Sequence, residues 1–503
     1  TAYDVAAGGV VLLKNEHNFL PLSEKKIKTL AVIGPNAGTL RTGGGGSSHV
    51  TPINPISPVE ALKEKATGME IKFSPGMIID SDMQPVPSEC LQTHDGRAGL
   101  SGEYFKNAEF KGDAAEIRID QTIDFNWHQG GPENFTNNYF SIRWNGKLIA
   151  PETGNYLIGT TSDDGSRLYL NDEMIVDNWG NHAMSTKLST VYLEKGKAAD
   201  LKIEYYEHGG DAGIKLQWQK VEQSPLEEAV QLAKKCDAAI LFMGFSERYE
   251  TEGADRISNA LPKEQVDIIK KVKAANDNIV VVLNSGAGIL MSDWVDDASA
   301  LLQAWYPGEE GGNAIADILL GNINPSGKLV TTFFKNDDDL PTFNNYPGKN
   351  DELNYAEGIF VGYRHYDKYD IAPLFPFGHG LSYTDFQYSN LKISSKSITH
   401  TDSLTLNLTI KNIGQTDGAE VVQLYLQDHK SSVPRPVKEL KSFTKVFLKA
   451  GEEKTVKLLL LPDAMKFWDV CSDSWKAEPG KFTVMVGSSS RDIRLKKSFK
   501  LKN

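Results

Sequence analysis

The densest group of residues able to do chemistry is Phe245-Ser246-Glu247-Arg248-Tyr249-Glu250-Thr251-Glu252-Gly253-Ala254-Asp255-Arg256. Three glutamates fall within six residues, beside two arginines. A carboxyl group whose pKa is raised can hand a proton to a departing oxygen, and on a loop it can lean toward a neighbouring domain. The same pattern describes a solvated, salt-bridged loop. The bare spacing leaves both readings open.

Further candidates are scattered along the chain. Met291-Ser292-Asp293-Trp294 sets an aspartate beside an indole, and it reads as a cap ahead of Val295 and Asp296. Trp305-Tyr306-Pro307-Gly308-Glu309-Glu310-Gly311-Gly312-Asn313-Ala314 could line a site or simply pack between a strand and a helix. Asp163 and Asp164, adjacent in a Ser-Asp-Asp-Gly-Ser turn, could chelate calcium or form an ordinary turn. Tyr104, Phe105, Tyr139, Trp179 and Tyr206 could make a ring-stacking platform, with most of them expected in a core. His49, His94, His182 and His208 show no metal-ligand spacing, and no Gly-x-Ser-x-Gly elbow occurs, which argues against an esterase. No cofactor or metal is expected. Gly43-Gly44-Gly45-Gly46-Ser47-Ser48 permits a tight loop and close approach to a neighbour, but no Gly-Lys-Ser/Thr closes it as a phosphate loop.

These residues hang on recognisable elements. Thr29 to Ala37 is an apolar run ending in Gly-Pro-Asn, which predicts a buried strand entering a loop. In open α/β sheets, loops at strand C-terminal ends host ligands. A helix near Val59 to Lys65 and a strand near Glu70 to Phe73 continue the alternation. From about Arg97 to Trp218 the pattern becomes short, aromatic-rich, period-two strands, which predicts a compact β-sandwich. The α/β pattern then resumes: helix Glu227 to Cys236, strand Ala238 to Phe245, helix Lys263 to Ala274, strands Ile279 to Asn284 and Ala300 to Trp305, and helix Asn313 to Leu320. One α/β domain with a β-sandwich inserted in a loop accounts for this order. Asp337 to Asn350 reads as a surface loop. Alternation from about Thr384 to Asn503 predicts a second, immunoglobulin- or fibronectin-like sandwich.

Composition bounds the rest. A chain of 503 residues exceeds one core, so about three domains are expected. The formal charge of -12 argues against a phosphate backbone as partner, and so against nucleic acid. Cys90, Cys236 and Cys471 allow at most one disulfide. No stretch reaches membrane-spanning length, and Thr1 to Asp4 carry no signal pattern. The chain begins abruptly, and a missing upstream piece is expected.

Several segments, in order, resemble glycoside hydrolase family 3: Gly9-Val10-Val11-Leu12-Leu13-Lys14-Asn15 with Leu20-Pro21-Leu22, Val32-Ile33-Gly34-Pro35-Asn36-Ala37, Glu252-Gly253-Ala254-Asp255-Arg256, and Gln303-Ala304-Trp305-Tyr306-Pro307-Gly308. Asn322 to Leu329 and Phe375-Pro376-Phe377-Gly378-His379-Gly380-Leu381-Ser382-Tyr383 extend the match. The insert resembles a protective-antigen-type carbohydrate-associated domain.

The resemblance implies an α/β sandwich domain in two parts, 1–96 and 220–336, interrupted by an inserted β-sandwich, 97–219. A linker region, 337–383, and a fibronectin type III-like domain, 384–503, would follow. It implies a retaining β-glucosidase acting on β-linked oligosaccharides or glucosides, with two carboxylates at work. The family's Glu-Gly-Tyr-Asp-Arg pattern falls on Glu252, Gly253, Ala254, Asp255 and Arg256, departing at Ala254. Glu252 is thereby the acid/base, with Glu250 and Glu247 as fallbacks. The nucleophile aspartate of such enzymes lies in an N-terminal barrel that this sequence does not contain. Asp293 matches the family's Ser-Asp-Trp ending but falls in the wrong domain, so the match reads as coincidence. A separate or cleaved barrel-containing polypeptide is therefore the expected partner, with this chain as one half of a clipped or two-chain enzyme or the first half of a permuted one. The inserted domain would shape outer sugar subsites, and a periplasmic or secreted setting is favoured over a cytoplasmic one. A homo-oligomer is left open. The alternative is a non-catalytic carbohydrate-binding accessory protein.

Overall fold

The computed structural model describes residues 1–77, 83–128, 130–135, 138–182, 184–221, 224–247, 249–252, 255–256, 258–350 and 352–502. Arg248, Gly253 and Ala254 of the carboxylate-rich segment lie outside the described residues. The chain forms two compact units, residues 1–75 with 229–503, and residues 76–228.

In the first unit, strands β1 (Val11–Asn15), β2 (Thr29–Ile33), β3 (Glu70–Ser74), β4 (Ala238–Gly244), β5 (Ile279–Asn284) and β6 (Ala300–Gln303) form one sheet. Their order is β1-β6-β5-β4-β2-β3. β1 is antiparallel to β6, and the other pairs are parallel. Every residue of β4 and β5 is buried. A parallel strand covered on both faces cannot alternate, which is why these segments read as unbroken apolar runs.

Helices cover the faces. Pro58–Lys65 starts with a capping box in which Ser57 and Glu60 satisfy each other's backbone donors. Lys263–Ala275 buries Ile268, Ile269 and Val272, and Gly311–Leu320 is buried along most of its length. Strand order reverses between β2 and β4. The loops leaving their C-terminal ends therefore start side by side and depart in different directions, the arrangement that opens a crevice in α/β sheets.

The same unit carries a β-sandwich of fibronectin type. Phe386–Ile393, Leu404–Asn412 and Glu453–Leu460 form one sheet. Ser397–Ile398, Gly418–Asp428, Glu439–Leu448, Gly480–Gly487 and Ile493–Leu501 form the other. Leu404, Leu406, Val422, Leu424, Phe482 and Val484 fill the space between them. The Phe375 to Tyr383 lead-in fastens this sandwich to the α/β sheet: His379 Nε2 lies 2.9 Å from the Leu13 carbonyl, and Leu381 N–H donates to the Leu12 carbonyl at 2.8 Å.

The second unit is a β-sandwich of longer strands. Phe140–Ile149, Ala198–Glu207 and Leu100–Phe105 are central to one sheet, and Gly154–Asp163 and Ala212–Val221 to the other. Tyr104, Phe140, Trp144 and Tyr205 are its largest fully buried side chains. Tyr104 hydroxyl and Trp144 Nε1 both donate to Asp120 Oδ2, at 2.5 and 2.7 Å, so the polar tips of these rings are satisfied inside the core. Cys90, Cys236 and Cys471 are all free thiols. Among the described residues no helix is long and apolar enough to cross a membrane.

Candidate active site

The carboxylate-rich segment leaves the C-terminal end of β4, and the glycine-rich segment leaves β2 beside it. Their meeting fixes the three glutamates in different ways. Glu250 is engaged on all sides. Its Oε1 pairs with Arg256 Nη1 at 2.9 Å, and its Oε2 accepts from the Gly286 N–H at 2.6 Å and the Tyr306 hydroxyl at 2.5 Å. Gly286 follows β5 and Tyr306 follows β6, so one carboxylate gathers the ends of three parallel strands. The Glu250 and Arg256 side chains are only 13% and 17% exposed. Burial and the Glu250 carboxylate push the Tyr306 hydroxyl well above the usual tyrosine range, so it remains a proton donor to Glu250. Arg256 also lies over the Phe245 ring at 4.9 Å.

Glu252, two residues on, is exposed. One of its oxygens accepts from the Ser47 N–H at 2.9 Å. The Ser47 hydroxyl, and then the Ser47 N–H, hold its carboxyl below the usual glutamate range. Glu247 is half-exposed and lies 3.1 Å from His49 Nδ1. Asp255 accepts from the Tyr346 hydroxyl.

The remaining candidates separate cleanly. Asp293 is exposed in a turn, and the short helical turn after it is headed by Trp294 with no side-chain cap, so the expected cap does not form. Trp294 is buried, and its ring offers no face to a ligand. Trp305 has φ 56° and packs edge-on to Phe333, while its carbonyl accepts from Asn284 Nδ2 at 3.0 Å. In the second unit Tyr104, Phe105 and Tyr206 are buried and cannot form a platform, whereas Tyr139 and Trp179 are exposed. The Trp179 ring carries the Arg167 guanidinium at 4.2 Å.

Asp163 and Asp164 do face a third carboxylate, Glu207, with ligand atoms of all three within 4.8 Å of one another and all three residues buried. Backbone donors occupy much of this cluster: His182 N–H and His208 N–H reach Asp164 at 3.0 and 2.7 Å, and Gly209 N–H reaches Glu207 at 2.7 Å. Burial, and then the Asp164 charge, push Asp163 up to about 6 and Glu207 up to about 8.

Sequence reasoning missed Tyr306 and Gly286 as partners of Glu250, and Glu207 as the third carboxylate. The signal for Tyr306 was present in its place after a strand, but the pairing is non-local. The run of glycines signalled a close approach without saying to what.

Residues 10–383 match the glycosyl hydrolase family 3 C-terminal domain, and residues 420–490 match a fibronectin type III-like domain. The chain is 36% identical over 527 residues to a probable beta-glucosidase I of Aspergillus clavatus, covering 99% of this chain and 62% of that protein. It is 35% identical over 535 residues to a beta-glucosidase of Kluyveromyces marxianus, again covering 99% and 62%. The crystal structure of the Kluyveromyces marxianus enzyme in complex with glucose superposes with a TM-score of 0.71 at 33% identity, over 100% of this chain and 62% of that one. DesR, a beta-glucosidase from Streptomyces venezuelae crystallised with D-glucose, gives a TM-score of 0.71 at 32% identity, over 99% and 59%. The chain thus spans 62% of the length of the curated relatives it matches. Because that family model matches most of the chain, residues 10–383, this chain belongs to glycosyl hydrolase family 3.

Proposed function

We propose that this chain supplies the acid/base half of a retaining β-glucosidase, with Glu252 as proton donor. The nucleophilic aspartate would come from a barrel domain on a separate or cleaved polypeptide. The observation that carries the assignment is the contrast between two glutamates on one loop. Glu250 is locked by Arg256, Gly286 and Tyr306, whereas Glu252 is exposed and held through Ser47.

In the first step the barrel aspartate attacks the anomeric carbon as its bond to the leaving oxygen breaks, and the Glu252 carboxyl gives its proton to that oxygen. In the second step a water attacks the glycosyl–aspartate ester, and the Glu252 carboxylate takes the water's proton. Ser47 favours the ionised form, which suits the second step. The first step needs a protonated Glu252. A sugar covering the carboxyl and the anionic nucleophile on the far side both raise its pKa toward that state.

The insert supports the same reading. Read as a protective-antigen-type domain, it would itself contact carbohydrate, with Tyr139 and Trp179 as its exposed rings. Hydrolysis of β-linked glucosides in a periplasmic or secreted setting completes the proposal.

Glu252→Gln and Glu250→Gln, compared in the enzyme carrying the barrel, test the assignment. Glu252→Gln is expected to lower turnover of alkyl glucosides by about 10²–10⁴-fold, the usual worth of a positioned acid. It should leave kcat/KM for dinitrophenyl glucoside nearly untouched, because that leaving group needs no proton. A Glu252→Gln enzyme with the parent rate on alkyl glucosides would sink the assignment.

A further inference from the structure

The loop that carries the glycine run meets the acid/base loop at three successive points. Gly45 N–H donates to the Glu250 carbonyl at 2.8 Å, Ser47 N–H donates to the Glu252 carboxylate at 2.9 Å, and His49 Nδ1 lies 3.1 Å from the Glu247 carboxylate. Residues 45, 47 and 49 of one loop meet 250, 252 and 247 of the other. All lie past the C-terminal ends of β2 and β4, where the strand order reverses.

The glycines are required by space as well as by conformation. A Cβ on Gly45 would sit 2.4 Å from the Glu247 carbonyl oxygen. A Cβ on Gly46 would sit 2.5 Å from Glu252 Cβ and 2.8 Å from its backbone nitrogen. Gly46 also has φ +69°, in the left-handed region. A side chain at either position would force the two loops apart.

An exposed glutamate has three rotatable bonds, and a proton donor works only when its oxygen meets the leaving atom. A misplacement of about 1 Å can cost on the order of 100-fold in rate. Among the described residues, the hydrogen-bond partner of the Glu252 carboxylate is Ser47.

We infer that the loop from Gly43 to His49 is a clasp that positions Glu252 for proton transfer, with Gly46 and Ser47 as its positioning residues. This rests on the reading of Glu252 as the donor. The clasp binds no sugar itself. It sets where the carboxyl stands and which of its two oxygens faces outward.

The test uses Gly46→Ala, Ser47→Ala and Glu252→Gln side by side in the enzyme carrying the barrel, each checked for an unchanged melting curve. Gly46→Ala is expected to lower kcat/KM for alkyl glucosides by on the order of 10–100-fold while leaving kcat/KM for dinitrophenyl glucoside nearly unchanged. A merely structural defect would depress both. Ser47→Ala removes the hydroxyl that helps hold the Glu252 carboxyl down but keeps the N–H bonded to it, and it carries less risk to the fold. Losing a donor to the charged form raises the carboxyl pKa. More of the acid is then protonated at high pH, and the alkaline limb of the alkyl-glucoside profile should move upward. The other titratable groups at this place, Glu247 with His49 and Glu250 with Arg256 and Tyr306, keep their partners in both variants.

If Glu252→Gln is impaired while Gly46→Ala keeps the parent leaving-group dependence and Ser47→Ala the parent pH limb, the clasp is wrong and the donor assignment stands. If Glu252→Gln is unimpaired, the donor assignment and the clasp fall together.

Discussion

The Tyr306 hydroxyl donates to Glu250 Oε2 at 2.5 Å, tying the loop after β6 to the loop after β4 across the intervening β5. Tyr306→Phe removes that donor and leaves the ring in place. A hydrogen bond to a charged group is worth about 1.5–3 kcal/mol, so guanidinium unfolding should show a loss of that size. An unchanged unfolding midpoint would mean that solvent replaces the hydroxyl at no cost.

Glu250 and Glu252 should respond oppositely in stability and catalysis. Glu250→Gln leaves Arg256 without its carboxylate in a nearly closed site, and a loss of about 3 kcal/mol is expected. Glu252→Gln touches an exposed side chain, and its unfolding curve should overlay the parent. A large loss for Glu252→Gln would assign that residue a structural role.

The insert should lose stability as pH rises. Burial and the Asp164 charge raise folded Glu207 from 4.5 to about 8, and the same two causes raise folded Asp163 from 3.8 to about 6. Both folded values lie above the unfolded ones, so the folded state holds protons that the unfolded state has released. The stabilisation is complete only below the unfolded values of 3.8 and 4.5, shrinks as the unfolded carboxyls ionise, and is gone once pH passes about 8, where folded Glu207 must carry charge. Thermal unfolding followed from pH 5 to 9 should show a falling midpoint for the unit formed by residues 76–228, and Glu207→Gln should flatten the fall. A midpoint that rises across this range would contradict the assignment.

The fibronectin-like sandwich should loosen when its lead-in is cut. His379 is largely buried, its pKa is lowered by that burial, and its ring meets the Leu13 carbonyl. Burial thus favours the neutral ring, whose Nε2–H donates to that carbonyl. His379→Ala leaves that carbonyl unpaired at a cost of about 1–3 kcal/mol. Limited proteolysis between residues 375 and 385 should speed up in the variant, and equal rates would count against the fastening role.

The sequence by itself determined the elements. The unbroken apolar run from Ala238 to Phe245, short and bounded by turn signals, reads as a doubly covered strand, and period-two runs such as Leu404 to Ile410 read as half-buried ones, because burial on one face or two writes itself into local spacing. It also marked the loop holding Glu247, Glu250 and Glu252, since polar clusters directly after buried parallel strands lie where the strands' C-terminal ends open to solvent. Tertiary structure alone decided which glutamate is tied and which is exposed. The partners of Glu250 come from residues 256, 286 and 306, and the partner of Glu252 is more than 200 positions away at Ser47. The same holds for Glu207 beside Asp163 and Asp164, and for the buried rings of Tyr104, Phe105 and Tyr206. A carboxylate's acidity and a ring's exposure depend on neighbours brought near by folding, and a local pattern carries no record of them.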